Sequence, residues 1–279
     1  MEKSIKTWLA EHEEEFVKDL GRLIAIDSVQ GETKPGAPFG EGPKKALEEA
    51  LSLCEGYGFS VNNMENYVGT ADLDAKLPRS LDILAHLDVV PAGEGWEITE
   101  PFKMLEKDGI VYGRGVSDDK GPMLAGLYAM RAVKELGYPL KKGIRMIMGT
   151  NEETGSKDFE YYYAREKAGE MSFTPDAEFP IINVEKGQFR GTIFKKRGKE
   201  ESSLLSLKAG IALNAVPQKA VLVFSALGEE EFQAAKQAVE EQCQVKISKN
   251  GNEVTVIGTS AHAATPYLGK NAGLAAVIF

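Results

Sequence analysis

The chain has 279 residues, 43% of them hydrophobic, and a formal net charge of −9. That is apolar material for one large core or two smaller ones. The acidic balance, with no basic stripe, excludes a nucleic-acid binder that must neutralise phosphates. Glu2, Glu11, Glu13, Glu14 and Glu15 stand near the start with no long apolar run. Neither a secretory signal nor a membrane span is expected, and the location read from this is cytoplasmic. Cys54 and Cys243 lie far apart, in no metal-binding spacing, and read as unpaired thiols.

In chain order, Ile5, Trp8, Leu9, Phe16 and Leu20 fall at helical spacing and predict one amphipathic helix over 4–26, with His12 as a packed histidine on its stripe. Residues 31–43, rich in Gly and Pro, read as a loop. A helix follows Pro43 and ends near Gly56 and Gly58. Residues 66–71 predict a short strand. The apolar run 81–85, broken by Asp82, predicts a strand with His86 and Asp88 at its C-terminal end, sharing one face. Residues 112–122 read YGRGVSDDKGP, with Asp118 and Asp119 set among Gly113, Gly115 and Gly121, whose backbone is free to take unusual conformations. An apolar helical pattern over 123–136 follows. A second strand, 144–148, interrupted by Arg145, ends at a loop carrying Glu152 and Glu153, and Asp176 lies further on. A strand is predicted at 181–184.

The texture changes after Gly187. Strand-like runs at 204–208, 221–227, 244–247 and 254–257 surround a helix over 229–241, which predicts an α+β sandwich with a domain boundary near 186–191. Residues 271–279 open a helix with no closing cap, so a longer parent protein is expected.

His86, Asp88, Asp118, Asp119, Glu152, Glu153 and Asp176 make a set of carboxylates with one histidine and no cysteine. Such a set suits a divalent cation. Any one of these loops alone reads equally well as an acidic turn. Together, at the C-terminal ends of strands in an α/β sheet, they stand where sites are built. Carboxylates converging without a cation would raise one another's pKa. Two metals roughly 3.5–4 Å apart, bridged by one carboxylate, would remove that conflict. The adjacent Glu152 and Glu153 would then divide into one ligand and one free general base.

The runs HLDVVP (86–91), YGRGVSDDKGP, GTNEETGS (149–156), TPDAEFP (174–180), NAVP (214–217) and SAHAATP (260–266) resemble the aminoacylase–carnosinase family of di-zinc metallopeptidases. The PepV-type dipeptidases are the most similar subgroup. The resemblance spans nearly the whole chain. It implies an α/β, zinc-peptidase-like catalytic domain with a mixed sheet and flanking helices over 1–186, and part of an α+β lid domain over 187–279. It implies that Asp118 bridges two Zn²⁺ ions, with Mn²⁺ or Co²⁺ as alternatives. His86 and Asp176 complete one site, Glu153 serves the other, and Glu152 is the general base. Asp88 would hold the far nitrogen of His86, the Asp118–Asp119 peptide would be cis, Asn214 would contact the substrate, and His262 would contact it and support the oxyanion. The expected activity is hydrolysis of dipeptides or short peptides with a free N-terminus, with no nucleic-acid or membrane partner. N-acyl-amino-acid deacylation or desuccinylation, and a non-catalytic metal-binding module, are the alternatives. The family draws a further histidine ligand, and a lid arginine that contacts the substrate, from segments with no counterpart in this sequence. The chain's histidines are His12, His86 and His262 alone. An incomplete second metal site, in a fragment of doubtful activity, is therefore expected.

Overall fold

Two helices, not one, open the chain: α1 (Glu2–Glu11) and α2 (Glu13–Ile24). The break has a local cause. The Trp8 carbonyl, which a continuous helix would give to the backbone N–H of His12, instead accepts the His12 ring at Nδ1, 2.7 Å away. The ring stacks on Trp8 at 3.9 Å, and the His12 N–H turns to the Leu9 carbonyl. The computed structural model describes residues 2–177, 181–184, 187, 191–192, 202–213 and 215–279. It divides into two compact units, Met1–Ile182 and Asn183–Phe279.

In the first unit, α3 (Glu41–Gly56) is followed by β1 (Ser60–Met64), β2 (Val68–Asp72) and β3 (Arg79–His86). A small hairpin, β4 (Leu105–Lys107) and β5 (Ile110–Tyr112), precedes α4 (Lys120–Glu135). Then come β6 (Gly143–Gly149), α5 (Lys157–Tyr163) and β7 (Met171–Phe173). The main sheet runs β1-β2-β6-β3-β7. It is antiparallel from β1 to β6 and parallel from β6 through β3 to β7. α4 buries Met123, Leu124, Leu127 and Met130, one face at helical spacing, in a core shared with Leu23, Leu47, Ala50, Ile83 and Met146. The charges interrupting the strands find partners. Arg145 makes a two-pronged bond to Asp72, its opposite number on β2, at 2.7 and 2.8 Å. Asp82 lies 3.2 Å from Arg79 and accepts the Gly169 N–H at 2.7 Å.

The second unit contains β8 (Leu204–Ala209), β9 (Lys219–Phe224), α6 (Glu229–Cys243), β10 (Lys246–Asn250), β11 (Glu253–Ile257) and α7 (Ala272–Ile278). Its antiparallel sheet runs β10-β11-β9-β8. Alternate residues Ala220, Leu222, Val254 and Val256 turn inward to meet Phe232, Val239 and Ala275. Among the described residues no helix is long and apolar enough to cross a membrane.

The structure corrects several expectations. Residues 181–184 form no strand, and Ile181 and Val184 are exposed, so their apolar run is not a buried strand. The two compact units part in sequence at Ile182/Asn183, and much of the expected 186–191 boundary lies outside the described residues, so that expectation stands neither overturned nor met. β10 begins after the Gln244 left-handed cap of α6, not at it. The edge strands β1 and β7, the β4–β5 hairpin and α5 carry too little periodic pattern to be read from sequence. β7 is exposed throughout.

Candidate metal centre

β3 and β6 are parallel neighbours in register, with His86 opposite Gly149, so both strands release their loops at the same level of the sheet. That is the carboxyl edge where α/β sheets build sites. His86 is 1% exposed. Its Nδ1 lies 3.0 Å from the Asp88 carbonyl and 3.4 Å from Asp88 Oδ1. A carbonyl only accepts, so Nδ1 carries the proton, and in the neutral ring Nε2 is left with a lone pair. That nitrogen lies 3.0 Å from Asp118 Oδ1, 3.4 Å from Asp176 Oδ2 and 3.9 Å from Glu152 Oε2. Yet it is a buried atom with no properly directed hydrogen bond. A lone pair facing carboxylates is repulsive unless a proton or a cation stands between them. Burial by itself would lower the His86 pKa. Asp118, Asp176 and Asp88 outweigh burial and raise it above its ordinary value. Among the described residues, His86, Asp118 and Asp176 form the group whose ligand atoms lie within 4.8 Å of one another. One nitrogen and two carboxylate donors fit a divalent cation.

Asp118 is presented by the glycine-punctuated turn before α4. Gly121 must be glycine, because a Cβ there would run into the Val116 carbonyl. The Asp118–Asp119 peptide is cis. Asp119 is fully buried, and its Oδ2 accepts the His86 backbone N–H at 3.0 Å. Burial pushes its carboxyl up to about 8. The next residue, Lys120, is also fully buried. Its ammonium donates to the carbonyls of Leu23 (3.0 Å) and Ile26 (2.8 Å) at the end of α2, and burial lowers its pKa to about 7.

Glu152 and Glu153 sit in a 3-10 turn, Glu152–Thr154. The Asp88 carboxylate accepts both of their backbone N–H groups, at 3.0 and 3.1 Å. Asp88 therefore serves two loops: its carbonyl is the nearer partner of His86, and its carboxylate holds the glutamate turn. Burial raises the pKa of both glutamates, Glu153 to about 7, and Asp118 adds to the rise at each. Two contributors escaped the sequence reading. Lys120 stood in the motif without a role, and Asp158 gave no signal beyond its place at a helix start. Its Oδ2 accepts the Thr150 and Asn151 N–H groups. In the second unit His262 is exposed, and its Nδ1 accepts the Ala264 N–H at 3.2 Å. Asn214 lies outside the described residues.

Fold and donor set together define the class: an α/β protein with a candidate divalent-cation site at the carboxyl edge of its sheet. The profile of peptidase family M20/M25/M40 matches residues 83–273, and the chain belongs to that family, which is metal-dependent. It is 38% identical, over its whole length, to a Beta-Ala-Xaa dipeptidase of Lactobacillus delbrueckii subsp. lactis, of which it covers 61%. It is 35% identical to the putative dipeptidase YtjP of Bacillus subtilis (strain 168), covering 94% of this chain and 58% of that one. Human carnosine dipeptidase 1 is similar in structure, with a TM-score of 0.53 and 29% identity over 60% of this chain and 38% of that one. The chain thus spans about three fifths of the length of these curated relatives.

Proposed function

We propose that this chain carries a metal centre and the general base of a zinc-dependent dipeptidase acting on short peptides with a free N-terminus. The observation that carries the reading is the buried His86 Nε2, turned to Asp118, Asp176 and Glu152 with no hydrogen bond of its own, in a chain of this family. His86, Asp118 and Asp176 would hold one cation, and Asp118 with Glu153 a second. Mixed nitrogen and carboxylate donors favour zinc. Bound there, the cation supplies Lewis acidity at the scissile carbonyl. Glu152 takes a proton from the attacking water and delivers it to the departing amine. Burial raises the Glu152 pKa, which makes its carboxylate a better acceptor for that proton. Asp88 keeps the His86 ring in the tautomer that frees Nε2.

The first unit supplies the catalytic domain in this reading. The second supplies part of a lid, with His262 and Asn214 as substrate contacts. Both cysteines are free, in keeping with a reducing, cytoplasmic location. The name of the Lactobacillus relative supports a test with β-alanyl dipeptides. Hydrolysis of unblocked and N-acylated dipeptides would be measured with a form of the protein as long as those relatives, with and without Zn²⁺. Turnover is expected for the unblocked peptides alone and only with the cation. Glu152→Gln should cut it about 10²–10⁴-fold with cation content unchanged. A variant that keeps its kcat, or one that loses its cation, overturns the assignment.

A further inference from the structure

The turn that presents Glu152 and Glu153 hangs from two buried carboxylates on different elements. Asp88, just past β3, takes the N–H groups of Glu152 and Glu153. Asp158, in the first turn of α5 and fully buried, takes those of Thr150 and Asn151 on Oδ2 at 2.6 and 2.8 Å, and that of Phe159 on Oδ1 at 2.7 Å. Every amide from Thr150 to Glu153 is thus held by a side-chain anion. An ordinary capping carboxylate binds amides of its own helix. Asp158 reaches back eight and seven residues, to the end of β6.

The surroundings are shaped for this carboxylate. A Cβ on Gly149, the last residue of β6, would collide with Asp158 Oδ2 and with the Phe159 ring, so only glycine lets the carboxylate sit against the strand end. The rest of the loop is tied down around it. The Thr150 hydroxyl donates to the Tyr67 carbonyl at 2.7 Å, the Asn151 carbonyl accepts the Ser156 N–H at 2.8 Å, and Asn151 Oδ1 accepts the Lys157 N–H at 3.2 Å. A carboxylate taken fully out of water is costly unless its oxygens are hydrogen-bonded. Those of Asp158 are bonded to the amides that aim the loop.

We propose that Asp158 is a positioning residue for Glu152 and Glu153, setting the direction in which their loop leaves the sheet. That these glutamates do chemistry rests on the dipeptidase reading, whereas the positioning itself does not. The test is amide hydrogen exchange on the whole chain without metal, for wild type, Asp158→Asn and Asp158→Ser, followed by Zn²⁺ titration. Asn keeps the shape but offers an NH₂ group to donors. Ser keeps one acceptor and serves if the Asn variant does not fold. The amides of Glu152 and Glu153, which Asp158 does not touch, should exchange at least about tenfold faster along with those of Thr150 and Asn151, while α4 and the second unit keep wild-type protection. Zn²⁺ affinity should fall roughly 10–100-fold. Acceleration confined to Thr150 and Asn151, or a uniform loss of protection with Zn²⁺ affinity unchanged, overturns the proposal. If the wild-type chain takes up no Zn²⁺, the dipeptidase reading fails, and exchange at Glu152 and Glu153 alone decides the role of Asp158.

Discussion

Near His86, burial and neighbouring charge shift the protonation of Asp119, Glu153 and the His86 ring itself. Burial raises Asp119 to about 8 and Glu153 to about 7, and the carboxylates around His86 raise that ring. In the unfolded chain the two acids would ionise near 4. A raised pKa means that the folded state holds a proton the unfolded state has released. The stability it contributes is complete below the unfolded pKa and is lost as pH rises through the folded one. Lys120, lowered to about 7, has the opposite sign: its contribution is complete above the unfolded pKa and is lost as pH falls through about 7. Between about pH 5 and 7 the acids act without opposition from the lysine. The metal-free chain should therefore lose thermal stability across that interval, and a divalent cation should flatten the slope by replacing the protons. Melting curves at several pH values, in chelator and in Zn²⁺, check this. A melting temperature that rises from pH 5 to 7 in chelator would count against the buried acids.

At the scale of elements, Lys120 ties the turn that carries Asp118 to the end of α2. Lys120 opens α4, yet its ammonium ends at the Leu23 and Ile26 carbonyls where α2 stops. A cation at a helix C-terminus satisfies carbonyls that the helix itself cannot. Lys120→Met would fill the space and take this donor from the part-buried Ile26 carbonyl, while the Leu23 carbonyl keeps only the Ile26 N–H at 3.2 Å. A loss of about 1–3 kcal/mol of unfolding free energy is expected in urea titrations. A neutral result would mean that water or a backbone shift replaces the ammonium. The same interplay explains the early break in the helical pattern. His12 sits on the apolar stripe, but its ring competes for the Trp8 carbonyl and ends α1 there.

For the molecule as a whole, the candidate residues are distributed over two compact units. The first unit holds His86, Asp118, Asp176, Glu152 and Glu153, and the second holds His262. Of the three histidines in the sequence, His86 faces the carboxylates, His12 is stacked on Trp8 with Nδ1 bonded to a carbonyl, and His262 belongs to the second unit. In the proposed centre one position would have three protein ligands, His86, Asp118 and Asp176, and the other would have Asp118 and Glu153. Calorimetric titration should find one tight Zn²⁺ per chain and at most one much weaker. Two tight sites of similar affinity would require a further protein ligand beside Asp118 and Glu153, and the second position would then be complete.

The sequence by itself determined the chemistry on offer and much of the scaffold. Periodicity located α3, α4, α6, β3, β6 and the strands of the second unit. The motifs put His86, Asp118 and Asp176 among seven candidate donors, and the structure brings these three within ligand distance of one another. The sequence signals are local: apolar spacing, glycine punctuation, and polar residues closing an apolar run. Only the tertiary structure decided what is set by long-range pairing. Parallel register between β3 and β6 brings His86 level with Gly149 and so sets Asp88 beneath the glutamate turn. Packing against Gly149 makes Asp158 a support for that turn, and burial turns Lys120 into a tether for α2. None of these has a spacing rule, because each partner arrives from a separate element and the bond forms only once the core has closed around it.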